Sequence, residues 1–145
     1  MKGVDGVMKA YRQALSEWRL SGPTLFNQVI TAAAEQCRRH VQQGKMTYTL
    51  LLIVTDGVIN DMQQTKDAIV AASNLPLSII IVGVGDANFD AMEELDGDTI
   101  RVTNSQGQRA SRDIVQFVNF NAFRNAAPGR LAKETLVELP DQMMA

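Results

Sequence analysis

Asp56 and Thr24 are the two side chains of this 145-residue chain whose type and setting best suit chemistry. Asp56 lies in the turn Thr55–Asp56–Gly57, directly after the apolar run Tyr48–Val54, and Thr24 follows the break Ser21–Gly22–Pro23. If the apolar run is a parallel strand, Asp56 stands at its carboxyl end, where loops converge and helix N-termini offer amide donors to ligands. Both are oxygen donors suited to a hard cation, Mg²⁺ or Ca²⁺, which takes about six or more oxygens. Two protein donors alone make a weak, open site. Plainer roles are also open: Thr24 as a helix cap and Asp56 as a stabiliser of its own turn.

Other chemistry is poorly supplied. His40, the single histidine, and Cys37, the single cysteine, fall three residues apart in one predicted helix, a poor geometry for a nucleophile and base. One Cys and one His cannot hold zinc, and neither a Gly-x-Ser-x-Gly elbow nor a Walker loop is present. Gly83–Val84–Gly85–Asp86 resembles the start of a dinucleotide fingerprint, but Asn88 stands where the third glycine belongs.

The elements that must position these residues follow from apolar spacing. Val7, Tyr11, Ala14, Leu15 and Trp18 predict an amphipathic helix over Gly3–Trp18. Phe26, Val29, Ile30, Ala33, Cys37 and Val41 predict a second, with Cys37 on its apolar side. Tyr48–Val54 lacks alternation, which predicts a strand covered on both faces. Asp61 and Gln64 form a capping-box pattern ahead of the stripe Met62, Thr65, Ile69 and Ala72. Asn74–Leu75–Pro76 ends that helix, and Leu77–Val84 predicts a second buried strand, parallel to the first through a right-handed crossover. A short helix over Asn88–Leu95, a surface excursion over Thr99–Gln108, a third strand at Ile114–Val118 and a final helix at Leu131–Leu139 complete the reading.

Composition bounds the function. The length and a 46% hydrophobic content fit one domain with one core. A net charge of −2 with scattered basic residues gives no support for nucleic acid or an anionic membrane surface. One cysteine rules out an internal disulfide framework, and no apolar stretch reaches the roughly 18 residues of a spanning helix. The chain reads as soluble and cytoplasmic.

A family resemblance emerges from the longer motifs. Gly3–Met8 (GVDGVM), Leu20–Thr24 (LSGPT), Leu51–Ile59 (LLIVTDGVI), Ala68–Val70, Ala72–Gly85 (ASNLPLSIIIVGVG), Leu95–Asp98 (LDGD) and Arg112–Val118 (RDIVQFV) closely resemble, in order, the A domain of copines. The resemblance covers nearly the whole chain. It implies an α/β fold of the von Willebrand factor A kind: a doubly wound, mainly parallel sheet with flanking helices. It also implies a metal-ion-dependent adhesion site, binding a divalent cation (Mg²⁺, Mn²⁺ or Ca²⁺) and a carboxylate of a protein target. In that motif Thr24 matches the threonine of the second metal loop and Asp56 the aspartate of the third.

The first metal loop, an Asp-x-Ser/Thr-x-Ser pattern, occurs nowhere in the chain, and neither do the family's two calcium-dependent, phospholipid-binding C2 domains. Residues 1–145 are therefore expected to be the C-terminal portion of one copine-type A domain. Cation binding is then weak, membrane recruitment depends on C2 domains outside these residues, and strand Tyr48–Val54 becomes an apolar sheet edge open to self-association. The expected function is a non-enzymatic module that recruits protein targets. The alternatives are a doubly wound hydrolase or phosphotransferase using Asp56, and a fragment acting by self-association through its sheet edge.

Overall fold

Two helices precede the first strand in the computed structural model, which describes residues 2–19, 21–97, 100–127 and 129–145. The elements run α1 (Gly3–Glu17), α2 (Phe26–Gln42), β1 (Thr49–Thr55), α3 (Met62–Ala72), β2 (Leu77–Gly83), α4 (Asp90–Asp96), β3 (Val115–Asn119), α5 (Arg130–Thr135) and α6 (Leu139–Met144). The strands form a parallel sheet in the order β1-β2-β3, with Leu51 opposite Ile79 and Ile81 opposite Phe117. This is the α/β, parallel-stranded class expected of an incomplete von Willebrand factor A-like domain.

One sheet face carries the core. Leu77, Ile79, Ile81, Val115 and Phe117 pack with Phe26, Ile30, Ala34 and Cys37 of α2 and with Ile69, Val70 and Ala72 of α3. Cys37 is buried there, as its apolar position predicts. Over β2 and β3 the opposite face is closed by the C-terminal helices. Ser78 Oγ donates to Gln142 Oε1 at 2.6 Å, and Arg112 donates from Nη1 to Gln142 O at 2.9 Å and from Nη2 to Leu77 O at 3.0 Å and to Leu75 O. One guanidinium fork thereby joins α6 to the entrance of β2.

Two expectations need correction, and a third is met with an unexpected exposure. β1 is not covered on both faces: Leu51 and Ile53 are half-buried against the core while Leu50, Leu52 and Val54 are exposed. An apolar run records only that both faces can be buried, and among the described residues nothing lies over this one. The final helix is two, α5 and α6, because Pro140 has no backbone N–H and fits only a first turn, so a new helix starts at Leu139. The helix at Gly3–Trp18 forms as α1, yet none of its residues is buried.

The excursion predicted around Thr99–Gln108 is a turn closed by a Thr103–Arg109 bridge; Asp98 and Thr99 lie outside the described residues. Asn104 Oδ1 accepts from the Gln106 and Gln108 amides. The Asp67 carboxylate of α3 accepts from the Ser105 amide at 2.7 Å and from the Ser105 hydroxyl at 3.0 Å. The amide bond foremost holds the Asp67 carboxyl below its usual pKa.

Candidate functional site

Three loops meet at the carboxyl edge of the sheet, and backbone requirements bring them together. β1 ends at Thr55, whose hydroxyl accepts the Gly57 amide at 3.3 Å and whose carbonyl accepts the Val84 amide at 2.8 Å. Gly57 adopts φ 122°, and a Cβ there would lie 2.6 Å from Ala87 Cβ, so only glycine lets the loop after β1 pass against the loop after β2. The stretch Gly83–Asp86 sits on this edge too. Asn121 Nδ2 donates to Gly85 O and to Asp86 Oδ1, which joins it to the chain leaving β3.

The segment before α2 is held to the loop after β1 by paired bonds. The Asn60 amide donates to Thr24 O at 3.0 Å, and the Thr24 amide donates to Asn60 Oδ1 at 2.8 Å. Asp61 adds a second tie. Its carboxylate accepts the Phe26 amide at 3.0 Å and the Asn27 amide at 2.9 Å, and Thr65 Oγ1 donates to it at 3.2 Å. A buried carboxylate from the start of α3 thus caps α2, whose own cap residue Leu25 has no acceptor side chain.

The plainer roles open to the two candidate residues are not the ones they adopt. The cap position of α2 is Leu25 and the acceptor is Asp61, so Thr24 is not the cap. The turn at Gly57 is closed by Thr55, so Asp56 does not stabilise it by hydrogen bonding. The capping box foreseen for Asp61 and Gln64 is likewise unmade, because Asp61 spends its oxygens on α2 and makes no side-chain cap of α3.

Thr24 and Asp56 are both exposed. Among the described residues, neither the Thr24 hydroxyl nor the Asp56 carboxylate makes a hydrogen bond or ion pair. Their loops are joined through Asn60, a residue that type and spacing did not single out as a tie.

Donor chemistry fits a hard cation at these two residues, which offer free oxygens on neighbouring loops. Asp61 does not fit, since both of its oxygens are engaged. No cluster of three or more His, Cys, Asp or Glu side chains occurs among the described residues. A separate cleft of about 350 Å³ is lined by Lys66, Glu94 and Arg101. Lys66 is paired with Glu94 there, and Arg101 donates to Ser111 O.

Removing the Asp61 carboxylate is expected to orphan two α2 amides together, that of buried Phe26 and that of half-buried Asn27. Asp61→Ala should lower the unfolding free energy by about 2 kcal/mol, the upper range for a helix cap. Asp61→Asn, which keeps one oxygen acceptor, should recover part of it. Urea titration followed by circular dichroism measures both; a midpoint unchanged in Asp61→Ala contradicts the cap.

The fold and these loops define a class, a parallel α/β domain of the von Willebrand factor A-like kind with polar loops gathered at its carboxyl edge. Residues 1–145 match the copine family throughout, and the chain belongs to that family. It is 51% identical over 145 residues to Protein BONZAI 1 of Arabidopsis thaliana, an alignment covering 98% of this chain and 25% of that protein. The chain therefore spans about a quarter of the length of this curated relative. Among the described residues no helix is long and apolar enough to cross a membrane.

Proposed function

We propose that the chain is a non-enzymatic, copine-type interaction module whose carboxyl-edge loops recruit a protein target through a divalent cation. The observation that carries this reading is the pair of bonds between Asn60 and Thr24, which joins the loops of Thr24 and Asp56 while leaving both side chains free. The Thr24 hydroxyl and the Asp56 carboxylate would hold Mg²⁺, Mn²⁺ or Ca²⁺. Water and a carboxylate of the target would complete its roughly six oxygens. With two protein donors the affinity of the chain alone is low, and the target's carboxylate strengthens it. In a longer copine, calcium-dependent phospholipid binding and plasma-membrane recruitment would belong to C2 domains, with this module selecting the cytoplasmic partner.

The enzymatic alternative has less behind it. Asp56 has no acid, base or cationic side chain bonded to it among the described residues, whereas an aspartyl nucleophile needs such partners.

Titration with Mn²⁺, followed by water proton relaxation, tests the cation. Weak, saturable binding is expected for the unmodified chain and its loss in Asp56→Ala; equal binding by both sinks the proposal.

A further inference from the structure

The two segments that carry the candidate donors are fixed by bonds in which the donor side chains take no part. Over Thr24–Asn27, four main-chain groups go to the single dipeptide Asn60–Asp61: the Thr24 amide and carbonyl to Asn60, and the Phe26 and Asn27 amides to the Asp61 carboxylate. The dipeptide is anchored in its turn. The Thr65 amide donates to Asp61 O at 2.8 Å and Thr65 Oγ1 donates to Asp61 Oδ1, and Thr65 is fully buried in the first turn of α3. Asp56 is held from the other end. Thr55, the last residue of β1, accepts the Val84 amide at its carbonyl and the Gly57 amide at its hydroxyl. Only Val58 and Ile59 separate Gly57 from Asn60, so the chain between the two fixed ends is short.

Asn60 carries an oxygen beside a site that requires oxygens, and its bonds decide which role it takes. An amide N–H can be accepted by the Oδ1 of a carboxamide and not by its NH₂, so Oδ1 is the atom turned to the Thr24 main chain. Given the cation reading proposed above, on which this rests, we infer that Asn60 is a positioning residue of the cation site and not one of its ligands. Its carboxamide sets where the Thr24 hydroxyl stands relative to the Asp56 carboxylate, and thereby sets the affinity for the ion.

The physical reason is conformational entropy. A hydroxyl and a carboxylate on two independent loops must both be ordered when the ion binds, and that ordering subtracts from affinity. Donors whose backbones are already fixed escape the loss. Residues that hold a metal ligand in place without touching the metal typically change affinity by about 10–100-fold when they are replaced. With two protein donors, displacing one removes half of what the chain offers the ion. Asp61 has the companion task of holding the residues after Thr24, but its removal also uncaps α2, so Asn60 gives the cleaner test.

Two measurements on the whole chain decide it. Asn60→Ala removes the Oδ1 acceptor but leaves the bond from the residue 60 amide to Thr24 O in place, so the urea midpoint should stay close to that of the unmodified chain. At matched folded fraction, the Mn²⁺ dissociation constant from water proton relaxation should nevertheless rise about tenfold. Gln63→Ala, whose lost side chain bonds only to Asp67, should change neither.

Hydrogen exchange of the Thr24 amide, followed by NMR on the unmodified chain, needs no variant and separates positioning from ligation. A positioning Asn60 keeps Oδ1 on that amide, so its protection should be the same without cation and at saturating Mg²⁺. A ligating Asn60 turns Oδ1 to the ion and releases the amide. Mn²⁺ binding that survives Asn60→Ala unchanged overturns the inference and leaves the cation reading standing. A Thr24 amide that exchanges faster in Mg²⁺ overturns it by making Asn60 a ligand. Failure of the unmodified chain to bind Mn²⁺ removes the cation reading and this inference together.

Discussion

Arg112→Ala is expected to lower the unfolding free energy by about 3 kcal/mol or more and to release α6 from the sheet. The guanidinium serves the carbonyls of Leu75, Leu77 and Gln142 at once and approaches the Tyr48 hydroxyl at 3.5 Å. Hydrogen bonds to a charged donor contribute about 1.5–3 kcal/mol each, and a buried acceptor left unpaired costs about 1–3 kcal/mol. These terms are not additive, because the carbonyls share one fork, so the estimate stays near the value of two bonds.

The loss should also spread. Gln142 is buried, accepts from Ser78 and donates to Val115 O at 3.4 Å, so once α6 loosens Ser78 loses this acceptor and keeps only the Tyr48 hydroxyl at 2.7 Å. Arg112→Lys should recover little, since a point-like ammonium cannot span carbonyls that a planar fork reaches together. Urea denaturation gives the free energy, and hydrogen exchange of the α6 amides shows the release. Full stability in the alanine variant would mean that apolar packing, not this fork, retains α6.

What sequence made legible here divides by the range of the interaction. β2 and β3 are readable because Ile79–Ile81 and Val115–Val118 are buried on both faces, so continuous apolar runs and real burial coincide. β1 has the same kind of run, but its burial depends on what lies beside it, which no local pattern encodes. Asp61 misleads in a similar way. Its spacing to Gln64 announces a local cap for α3, whereas its partners are amides of α2 some 34 and 35 residues earlier.

The candidate site was legible as residue types and not as geometry. Thr24 and Asp56 stand out as oxygen donors after a break and after a strand, and family resemblance pairs them. The connection through Asn60 is a long-range contact visible only in the fold. Arg112 gives no signal of its own either, because a lone arginine before a strand ordinarily reads as solvated; its role follows from three carbonyls contributed by two distant segments.

Gly57→Ala is expected to have the other large effect, and it bears directly on the loops proposed to bind. Alanine at φ 122° is strained whatever space surrounds it, at about 1–3 kcal/mol. Here there is also no space: the added Cβ would meet Ala87 Cβ at 2.6 Å, with Asn88 O and the edge of the Phe89 ring at 3.3 Å. Ala87 and Asn88 O cannot swing aside as a long side chain would, and Phe89 belongs to the core, packed on Phe117 with ring centroids 5.6 Å apart. Relief must therefore come from moving the loop after β1 away from the loop after β2, and the two effects together should destabilise the chain by about 2–5 kcal/mol. The displacement carries Asp56 with it and pulls on Asn60, loosening its hold on Thr24. If the cation sits where proposed, whatever fraction of the variant remains folded should bind Mn²⁺ more weakly, although every donor is still present. Chemical denaturation measures the first effect and Mn²⁺ relaxation at matched folded fraction the second. Unchanged cation binding in a destabilised variant would show that the Asp56 loop can shift without disturbing a site, and would separate Gly57 as a packing residue from the binding loops.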